Sequence, residues 1–207
     1  MDARRSGLIL AGGLSTRMGT DKGLLELAGR PLVVWVIGRL QEVVEDIALA
    51  TSPTNDAAYR QVVPASVPCV PDTTPHLGPL GGWRWGLPTL QGAYVAIAPC
   101  DTPFYAPALG RLLFEEAEGH DGAVPNIGGR FEPLHGVYHR EHLQEAVRRC
   151  IDAGQMRPIH TYDHLDIVEI AEDEVRELDP ELESFMNANT PAEFDRLRSR
   201  SADVGRG

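Results

Sequence analysis

A glycine-rich segment with two cationic side chains follows the first apolar stretch of the chain. Residues 10–22 read Leu-Ala-Gly-Gly-Leu-Ser-Thr-Arg-Met-Gly-Thr-Asp-Lys. Glycines let backbone N–H groups turn toward an anion, and Arg17 and Lys22 add charge-assisted donors for phosphate. The segment is neither a Walker loop nor Gly-x-Gly-x-x-Gly, because Gly12 and Gly13 are adjacent and no Gly-Lys-Ser/Thr ending follows. We expect a polyphosphate site; the alternative is a glycine-rich turn with two solvated cations.

A carboxylate follows a second apolar stretch. Residues 99–103 read Pro-Cys-Asp-Thr-Pro and come directly after the apolar residues 94–98. At the carboxyl end of a central strand, Asp101 is well placed to hold Mg²⁺ over a triphosphate, since Mg²⁺ typically takes one or two carboxylates plus substrate phosphates. The alternative is an aspartate that caps the next helix. We interpret Cys100 as a buried thiol, because no partner histidine is evident.

A third motif combines Asp72 with Gly-Pro-Leu-Gly-Gly at residues 78–82. Its glycines predict a loop packed closely against another group, such as a base or a ribose; the alternative is a plain loop that leads into a helix. His135, His139 and His142 lack the cysteine or carboxylate spacing of a zinc site. We interpret them as surface or hydrogen-bonded histidines.

Strand and helix alternate at short intervals in the first half of the chain. We predict strands at 7–11, 47–50, 67–70 and 93–98, and helices at 31–43, 55–61, around Trp83 and Trp85, and at 107–118. This alternation predicts an α/β fold with a mostly parallel sheet and helices on both faces. Ligands of such sheets bind beyond the carboxyl ends of the strands, where the three motifs lie.

The second half of the chain is less regular. We predict strands at 130–138, 165–170 and 183–188 and a helix at 141–153. Thr190-Pro191-Ala192-Glu193 has the form of a capping box and predicts a last helix through 197. The acidic stretch 169–183 is typical of a solvated face. We expect one domain over 1–198 and a disordered tail at 199–207.

Composition excludes several classes of partner. The formal net charge of −11 argues against a nucleic-acid surface, which needs clustered lysine and arginine. No apolar run approaches the roughly 20 residues that span a bilayer, and the N-terminus lacks the features of a signal peptide. The three cysteines form no CxxC pair. We therefore expect a cytoplasmic protein that binds neither membranes nor nucleic acid.

Five motifs occur in an order that resembles a known family. They are residues 10–22, 78–82, 99–101, 132–134 with Tyr138, and 187–191. Together they resemble the molybdenum cofactor guanylyltransferases, the MobA family of the wider nucleotidyltransferase superfamily, over residues 7 to about 197. The first motif indicates only the superfamily, whereas Pro-Cys-Asp and Asn-x-Asn-Thr-Pro are more specific.

The resemblance implies a Rossmann-like three-layer α/β/α fold of the nucleotide-diphospho-sugar transferase type. It also implies transfer of GMP from GTP to molybdopterin, which gives the guanine dinucleotide and pyrophosphate. The residues it implies for nucleotide binding are Leu10, Ala11, Gly12, Gly13, Lys22, Thr51, Asp72, Gly78 and Asp101. Thr51 stands where family members often have asparagine.

The resemblance further implies roles in catalysis. Arg17, Lys22 and Asp101 would be catalytic, with Asp101 holding Mg²⁺, and Asn187 and Asn189 would bind the acceptor. The acceptor or product could be handed over by other cofactor-biosynthesis proteins or molybdoenzymes. Three alternatives stay open: a related CTP-using enzyme, a sugar-phosphate nucleotidyltransferase, and a nucleotide-binding regulatory module without catalysis.

Overall fold

The computed structural model describes residues 4–12 and 21–204 of the 207-residue chain. The strands are β1 (Arg5–Ala11), β2 (Glu26–Leu27), β3 (Arg30–Pro31), β4 (Asp46–Thr51), β5 (Cys69–Pro71), β6 (Tyr94–Pro99), β7 (Gly122–Ile127), β8 (Arg130–Phe131), β9 (Val137–His139) and β10 (Ile167–Ala171). The helices are α1 (Leu32–Leu40), α2 (Asp56–Val62), α3 (Pro79–Gly86), α4 (Pro107–Ala117), α5 (Arg140–Asp152), α6 (Glu172–Leu178) and α7 (Pro191–Val204).

The main sheet is mostly parallel, as predicted. Its strand order is β10-β7-β9-β6-β1-β4-β5, and β8 pairs with β7. The strand β1 is parallel to β4 and to β6, and β4 is parallel to β5. Only β9 runs against its two neighbours on this path, β6 and β7, within the part of the chain described. In a separate ribbon, β2 pairs antiparallel with β3.

Helices cover both faces of the sheet, which confirms the three-layer prediction. Successive side chains of a strand point to opposite faces, so Leu8 and Ile9, both fully buried, enter different cores. Ile9 packs in a cluster with the apolar sides of α1, α4 and α6, whereas Leu8 packs with those of α3 and α5. Burial on both faces explains the continuous apolar runs that identified these strands in the sequence.

One predicted strand is split in two. Over residues 130–138 the chain forms β8, a 3-10 turn at Pro133–His135, and then β9. Proline has no N–H for a strand ladder, which favours the break. The strand β7, just before this region, was missed by the sequence analysis.

A second predicted strand, over 183–188, is wrong. The chain forms a 3-10 turn at Glu183–Phe185 instead. The carboxylate of Asp179 accepts hydrogen bonds from the first two backbone N–H groups of that turn, each at 2.8 Å. Local bonds from an aspartate offer the backbone an alternative to strand pairing.

The acidic stretch at 169–183 contains a short helix, α6, that was not predicted. In this helix only Val175 is buried, so the sequence carries almost no apolar periodicity. Glu169, Asp173 and Glu174 are exposed, as predicted for a solvated face, but the prediction is wrong for Asp179, which is buried.

The last helix begins as predicted but ends later. The hydroxyl of Thr190 accepts from the backbone N–H of Glu193 at 3.2 Å, which confirms the capping interaction. The helix α7 ends at Val204 rather than at 197, so the predicted tail is wrong for 199–204, and 205–207 lie outside the described residues.

Among the helices that are described, none combines the length and the apolar character that crossing a membrane requires.

Candidate active site

The three sequence motifs meet at one edge of the sheet. The strands β1, β4, β5 and β6 are parallel, so the residues that follow them gather at their common carboxyl edge. Two adjoining cavities open there, of about 350 Å³ and 440 Å³. We call them the Asp101 cavity and the Asp72 cavity. Both are lined by Leu10, Gly12 and Pro79, which form their common wall.

Asp101 follows β6 and lines the cavity named after it. The strand pairing fixes its position, because the backbone N–H of Cys100 donates to the carbonyl of Leu10 at 3.1 Å. The Asp101 side chain is only 12% exposed. The pKa of Asp101 is raised overall. Burial raises it, and Lys22 and the backbone N–H groups of Asp101 and Ala188 offset only part of that increase. A largely buried carboxylate of this kind is stabilised by nearby positive charge, which a bound cation can provide.

Lys22 links the N-terminal motif to Asp101 and to the C-terminal motif. Its Nζ lies 3.7 Å from the Asp101 Oδ2 and donates to the Oδ1 of Asn189. Asn189 in turn donates to the Oδ1 of Asn187. Between the two asparagines, Ala188 is fully buried and packs in the small core that includes α7 residues. Lys22, Asp101, Asn187 and Asn189 therefore line one cavity.

Asp21 is a site residue that the sequence analysis left unassigned. Its carboxylate accepts from the Gly23 N–H at 3.2 Å, from the Asn55 amide at 2.5 Å and from the Tyr59 hydroxyl. Asn55 also donates to the carbonyl of Ala11 at 2.9 Å. These contacts tie the residue before Lys22 to the end of β1 and to α2. The hydroxyl of a fully buried tyrosine needs a partner, and Asp21 supplies it.

The packing beneath this contact is tight. A Cβ at Gly23 would overlap the Tyr59 hydroxyl and would lie 2.8 Å from the Cys100 sulfur. Cys100 is buried, and burial raises the pKa of its thiol. The prediction of a buried thiol is therefore confirmed.

Asp72 lies in the second cavity, held against the start of α3. Its backbone N–H donates to the carbonyl of Thr51 at 2.7 Å, and its Oδ1 accepts from the Thr74 N–H at 2.8 Å. A Cβ at Gly81 would overlap the Asp72 carboxylate, so a larger residue there would displace that side chain. Gly78, just before α3, has a φ of 56°, a left-handed conformation that glycine adopts without strain. Gly81 therefore serves close packing against the chain's own Asp72, inside α3 rather than in a loop, and contact of this motif with a base or a ribose stays a prediction.

The remaining predicted nucleotide residues are placed as follows. Leu10, Ala11 and Gly12 line the Asp101 cavity. Thr51 lines the Asp72 cavity, but its side chain is fully buried and its hydroxyl donates to the Asp56 carboxylate at 2.8 Å. Its hydroxyl therefore bonds to α2, and its contact with a nucleotide stays a prediction. Gly13 and Arg17 lie outside the described residues.

Glu132 and His135 also line the Asp101 cavity, which the sequence did not predict. His135 is buried, and neither of its ring nitrogens makes a hydrogen bond of regular geometry to the described residues. The expectation of a surface histidine is therefore wrong for His135. His139 and His142 stack with ring centroids 4.1 Å apart, and His142 pairs with Asp121.

Asp101 is the residue best suited to hold a divalent cation. Within 4–12 and 21–204 there is no group of three or more histidine, cysteine or acidic side chains that could bind a metal by itself. Mg²⁺ does not need such a group, because it completes its shell with phosphates and water. A single buried carboxylate that lines the cavity fits that requirement.

Comparisons with known proteins identify the family and the fold. The sequence matches the MobA-like NTP transferase domain over residues 7–167. It is 37% identical to a probable molybdenum cofactor guanylyltransferase of Natronomonas pharaonis, over 95% of this chain and 98% of that protein. It is 32% identical to a molybdenum cofactor guanylyltransferase of Desulfosudis oleivorans, over 94% of each chain.

Solved structures share the fold. The crystal structure of molybdopterin-guanine dinucleotide biosynthesis protein A from Archaeoglobus fulgidus has a TM-score of 0.81, with 24% identity, and covers 96% of this chain and 99% of that one. A cytidylyltransferase from Thermus thermophilus, which acts on 2-C-methyl-D-erythritol 4-phosphate, has a TM-score of 0.70 and 13% identity, and covers 94% and 98%. The resemblance seen in the motifs is confirmed, and the chain belongs to the MobA-like NTP transferase family, whose members are nucleotidyltransferases.

Proposed function

We propose that this protein transfers GMP from Mg²⁺-bound GTP to molybdopterin and releases pyrophosphate. The observation that carries the proposal is the meeting of Lys22, Asp101, Asn187 and Asn189 in a cavity that adjoins a second, larger one. A reaction that joins a nucleotide to a second bulky substrate needs two such spaces. Relatives with 37% and 32% identity carry the name molybdenum cofactor guanylyltransferase, which supports this choice of substrates.

In this proposal the two cavities divide the substrates. The guanosine of GTP occupies the Asp72 cavity, where Gly78 and Asp72 line the wall. The phosphates cross the common wall at Leu10 and Gly12 toward Lys22. The acceptor enters the Asp101 cavity beside Asn187 and Asn189, as the resemblance implies. Arg17, which lies outside the described residues, stays a predicted phosphate ligand.

The chemistry needs positioning and charge more than it needs a base. The terminal phosphate of the acceptor is already anionic near neutral pH and attacks the α-phosphorus directly. The barrier lies in bringing two anions together and in stabilising the leaving pyrophosphate. Lys22 supplies positive charge, and its contacts to Asn189 and Asp101 hold it in place. Mg²⁺, when bound at Asp101, supplies charge neutralisation of the phosphates.

The alternative functions differ in what they require of the site. A CTP-using or sugar-phosphate enzyme would share the fold, as the Thermus cytidylyltransferase does. A regulatory module without catalysis would not need a lysine 3.7 Å from a buried carboxylate in the cavity. The proximity of Lys22 and Asp101 therefore favours an enzyme, and the names of the relatives favour GTP.

The function is tested with the full chain, molybdopterin and each of GTP, CTP, ATP and UTP in the presence of Mg²⁺. We expect the dinucleotide product and pyrophosphate with GTP. Asp101→Asn keeps the side-chain shape and should lower the rate at least about 100-fold, because losing one transition-state charge stabiliser costs roughly 2.7–4 kcal/mol. Asp163→Asn, on an exposed aspartate, is the matched control and should leave the rate unchanged. Product with CTP alone, or a fully active Asp101→Asn, would refute the assignment.

We further propose that residues 1–198 act as one nucleotidyltransferase domain in the cytoplasm. The eight-stranded main sheet contains both β1 and β10, which supports the single domain. A cofactor-biosynthesis protein or a molybdoenzyme would hand over the acceptor or take the product. Co-purification of the chain with such a partner, compared with the Asp163→Asn control, tests the handover.

A further inference from the structure

The ammonium group of Lys22 is bonded to an asparagine rather than to the nearby carboxylate of Asp101. Lys22 is the only lysine in the chain, and its side chain is 24% exposed. It donates to the Oδ1 of Asn189, whereas its Nζ lies 3.7 Å from the Oδ2 of Asp101. A distance of 3.7 Å makes an ion pair but not a hydrogen bond. The ammonium therefore stands off from the carboxylate.

Asn189 is restrained on both sides of its contact with Lys22. Its amide NH₂ donates to the Oδ1 of Asn187, which leaves its amide oxygen turned to the ammonium. The preceding residue, Ala188, is fully buried in a small core, and Leu25 packs against the same core three residues after Lys22. One core thus holds the two chain segments that make the contact.

The position of the ammonium decides how much of the Asp101 carboxylate is open to a metal ion. A carboxylate binds Mg²⁺ through its oxygen lone pairs, and an ammonium bonded to it occupies one of them and repels the cation. Lysine has a flexible stem and rotatable donors, so without Asn189 it can turn onto Asp101. Because the Asp101 side chain is only 12% exposed, a direct pair there would be weakly screened.

We propose that Asn189 is a positioning residue that keeps Lys22 off Asp101, so that the carboxylate stays open to a divalent cation. The amide oxygen of Asn189 takes the hydrogen bond that the ammonium would otherwise make to Asp101. This role differs from contact with the acceptor, which the resemblance implies for Asn189. The inference rests on the proposed function only in placing the cation at Asp101.

The two roles of Asn189 predict different behaviour of one variant. Asn189→Leu keeps the approximate size of the side chain and removes its oxygen and its NH₂ group. If Asn189 binds the acceptor, the variant raises the KM for molybdopterin and binds cations like the wild type. If Asn189 positions Lys22, cation binding changes although neither acceptor nor nucleotide is present.

The experiment titrates the full chain with Mn²⁺ alone, which prefers the same oxygen ligands as Mg²⁺, and measures free Mn²⁺ by electron paramagnetic resonance. The chain has 30 acidic residues, so only the binding that Asp101→Asn removes in each background is assigned to the site. Asn189→Leu should weaken this binding about 3- to 10-fold, because one hydrogen bond moves onto Asp101. Lys22→Met should tighten it, because a positive charge beside the carboxylate is lost.

Removing the lysine should cancel the effect of removing the asparagine. The double variant Lys22→Met with Asn189→Leu should bind Mn²⁺ as tightly as Lys22→Met alone, because no ammonium is left to restrain. Thr190→Ala is the matched control, since Thr190 caps α7 next to Asn189. It should lower the unfolding temperature and leave Mn²⁺ binding unchanged.

The single lysine also gives a direct readout of its own position. In protein made with ¹⁵N-labelled lysine, one side-chain ammonium resonance belongs to Lys22. This resonance should shift in Asn189→Leu, in which the ammonium changes its partner, and should stay in place in Thr190→Ala. An unshifted resonance in Asn189→Leu would contradict the movement onto Asp101.

The outcomes keep the inference and the proposed function apart. Equal Mn²⁺ affinity in Asn189→Leu and the wild type would overturn the inference, as would the same loss with and without Lys22. No Asp101-dependent Mn²⁺ binding up to millimolar concentration would refute the cation site on which both proposals depend. Product with CTP rather than GTP would refute the proposed substrates and leave the Mn²⁺ result standing. Asn189 is exposed, so Asn189→Leu decides alone if the double variant does not fold.

Discussion

Removing one buried hydroxyl should weaken both the fold and the reaction. Tyr59 is fully buried and donates to the carboxylate of Asp21, the residue before Lys22. Burial raises the pKa of Tyr59 far above its ordinary value, so the hydroxyl is a donor at every working pH. In Tyr59→Phe the ring stays in place, but Asp21 loses one of the three donors described above.

The size of the effect follows from the charge on Asp21. A hydrogen bond to a charged group contributes about 1.5–3 kcal/mol. In a chain of 150–250 residues, 1 kcal/mol changes Tm by about 2–4 °C, so Tm should fall by roughly 3–12 °C. If the same energy holds Lys22 in its reactive position, kcat/KM should fall roughly 10- to 150-fold.

The assay measures Tm by calorimetry and kcat/KM for GTP and molybdopterin in the same preparations. Tyr105→Phe is the control, because Tyr105 is also buried in the same core and its hydroxyl has no contact with Asp21. It should leave kcat/KM unchanged. A lower Tm with an unchanged kcat/KM in Tyr59→Phe would show that Asp21 does not position Lys22. An unchanged Tm would refute the energetic reasoning altogether.

Two further predictions address the nucleotide cavity and the pH dependence of stability. Gly81→Ala places a methyl group against the Asp72 carboxylate, so we expect a loss of about 1–3 kcal/mol in unfolding free energy and weaker GTP binding by calorimetry; unchanged GTP affinity would contradict the placement of the base. Burial would raise the pKa of Asp121, but a backbone N–H and His142 lower it overall, so its stabilisation is present above the unfolded pKa of about 3.9 and is lost as pH falls through the lower folded value. Asp121→Asn should therefore lower Tm at pH 7 but not at about pH 2, and an equal loss at both would contradict the linkage.

The sequence predicted the elements whose apolar runs are buried on two faces. The strands β1, β4 and β6 were recognised because residues such as Leu8 and Ile9 face different helices. The strand β7 was missed because Pro125 and Asn126 interrupt its apolar run. The helix α6 was missed because only Val175 is buried in it. Periodicity fails where an element is short or buries only one residue.

The sequence predicted the site residues that follow strands, but not the contacts between residues that are distant in sequence. Asp101 and Lys22 each follow an apolar strand, so their meeting at the carboxyl edge could be expected from the topology. The contact of Asp21 with Tyr59 spans 38 residues, and no local pattern marks it. The burial of His135 depends on what surrounds the ring in three dimensions. The roles of the predicted residues in binding and catalysis stay predictions.

The contact between Lys22 and Asn189 has a consequence for how the protein matures. These residues are 167 positions apart, so the lysine leaves the ribosome long before its partner is made. Strand pairing from β1 to β6 needs only the first half of the chain. Contacts of such large sequence separation form late, because closing a long loop costs entropy. We therefore expect a newly made chain to gain its nucleotide cavity first and its acceptor cavity only when synthesis is almost complete.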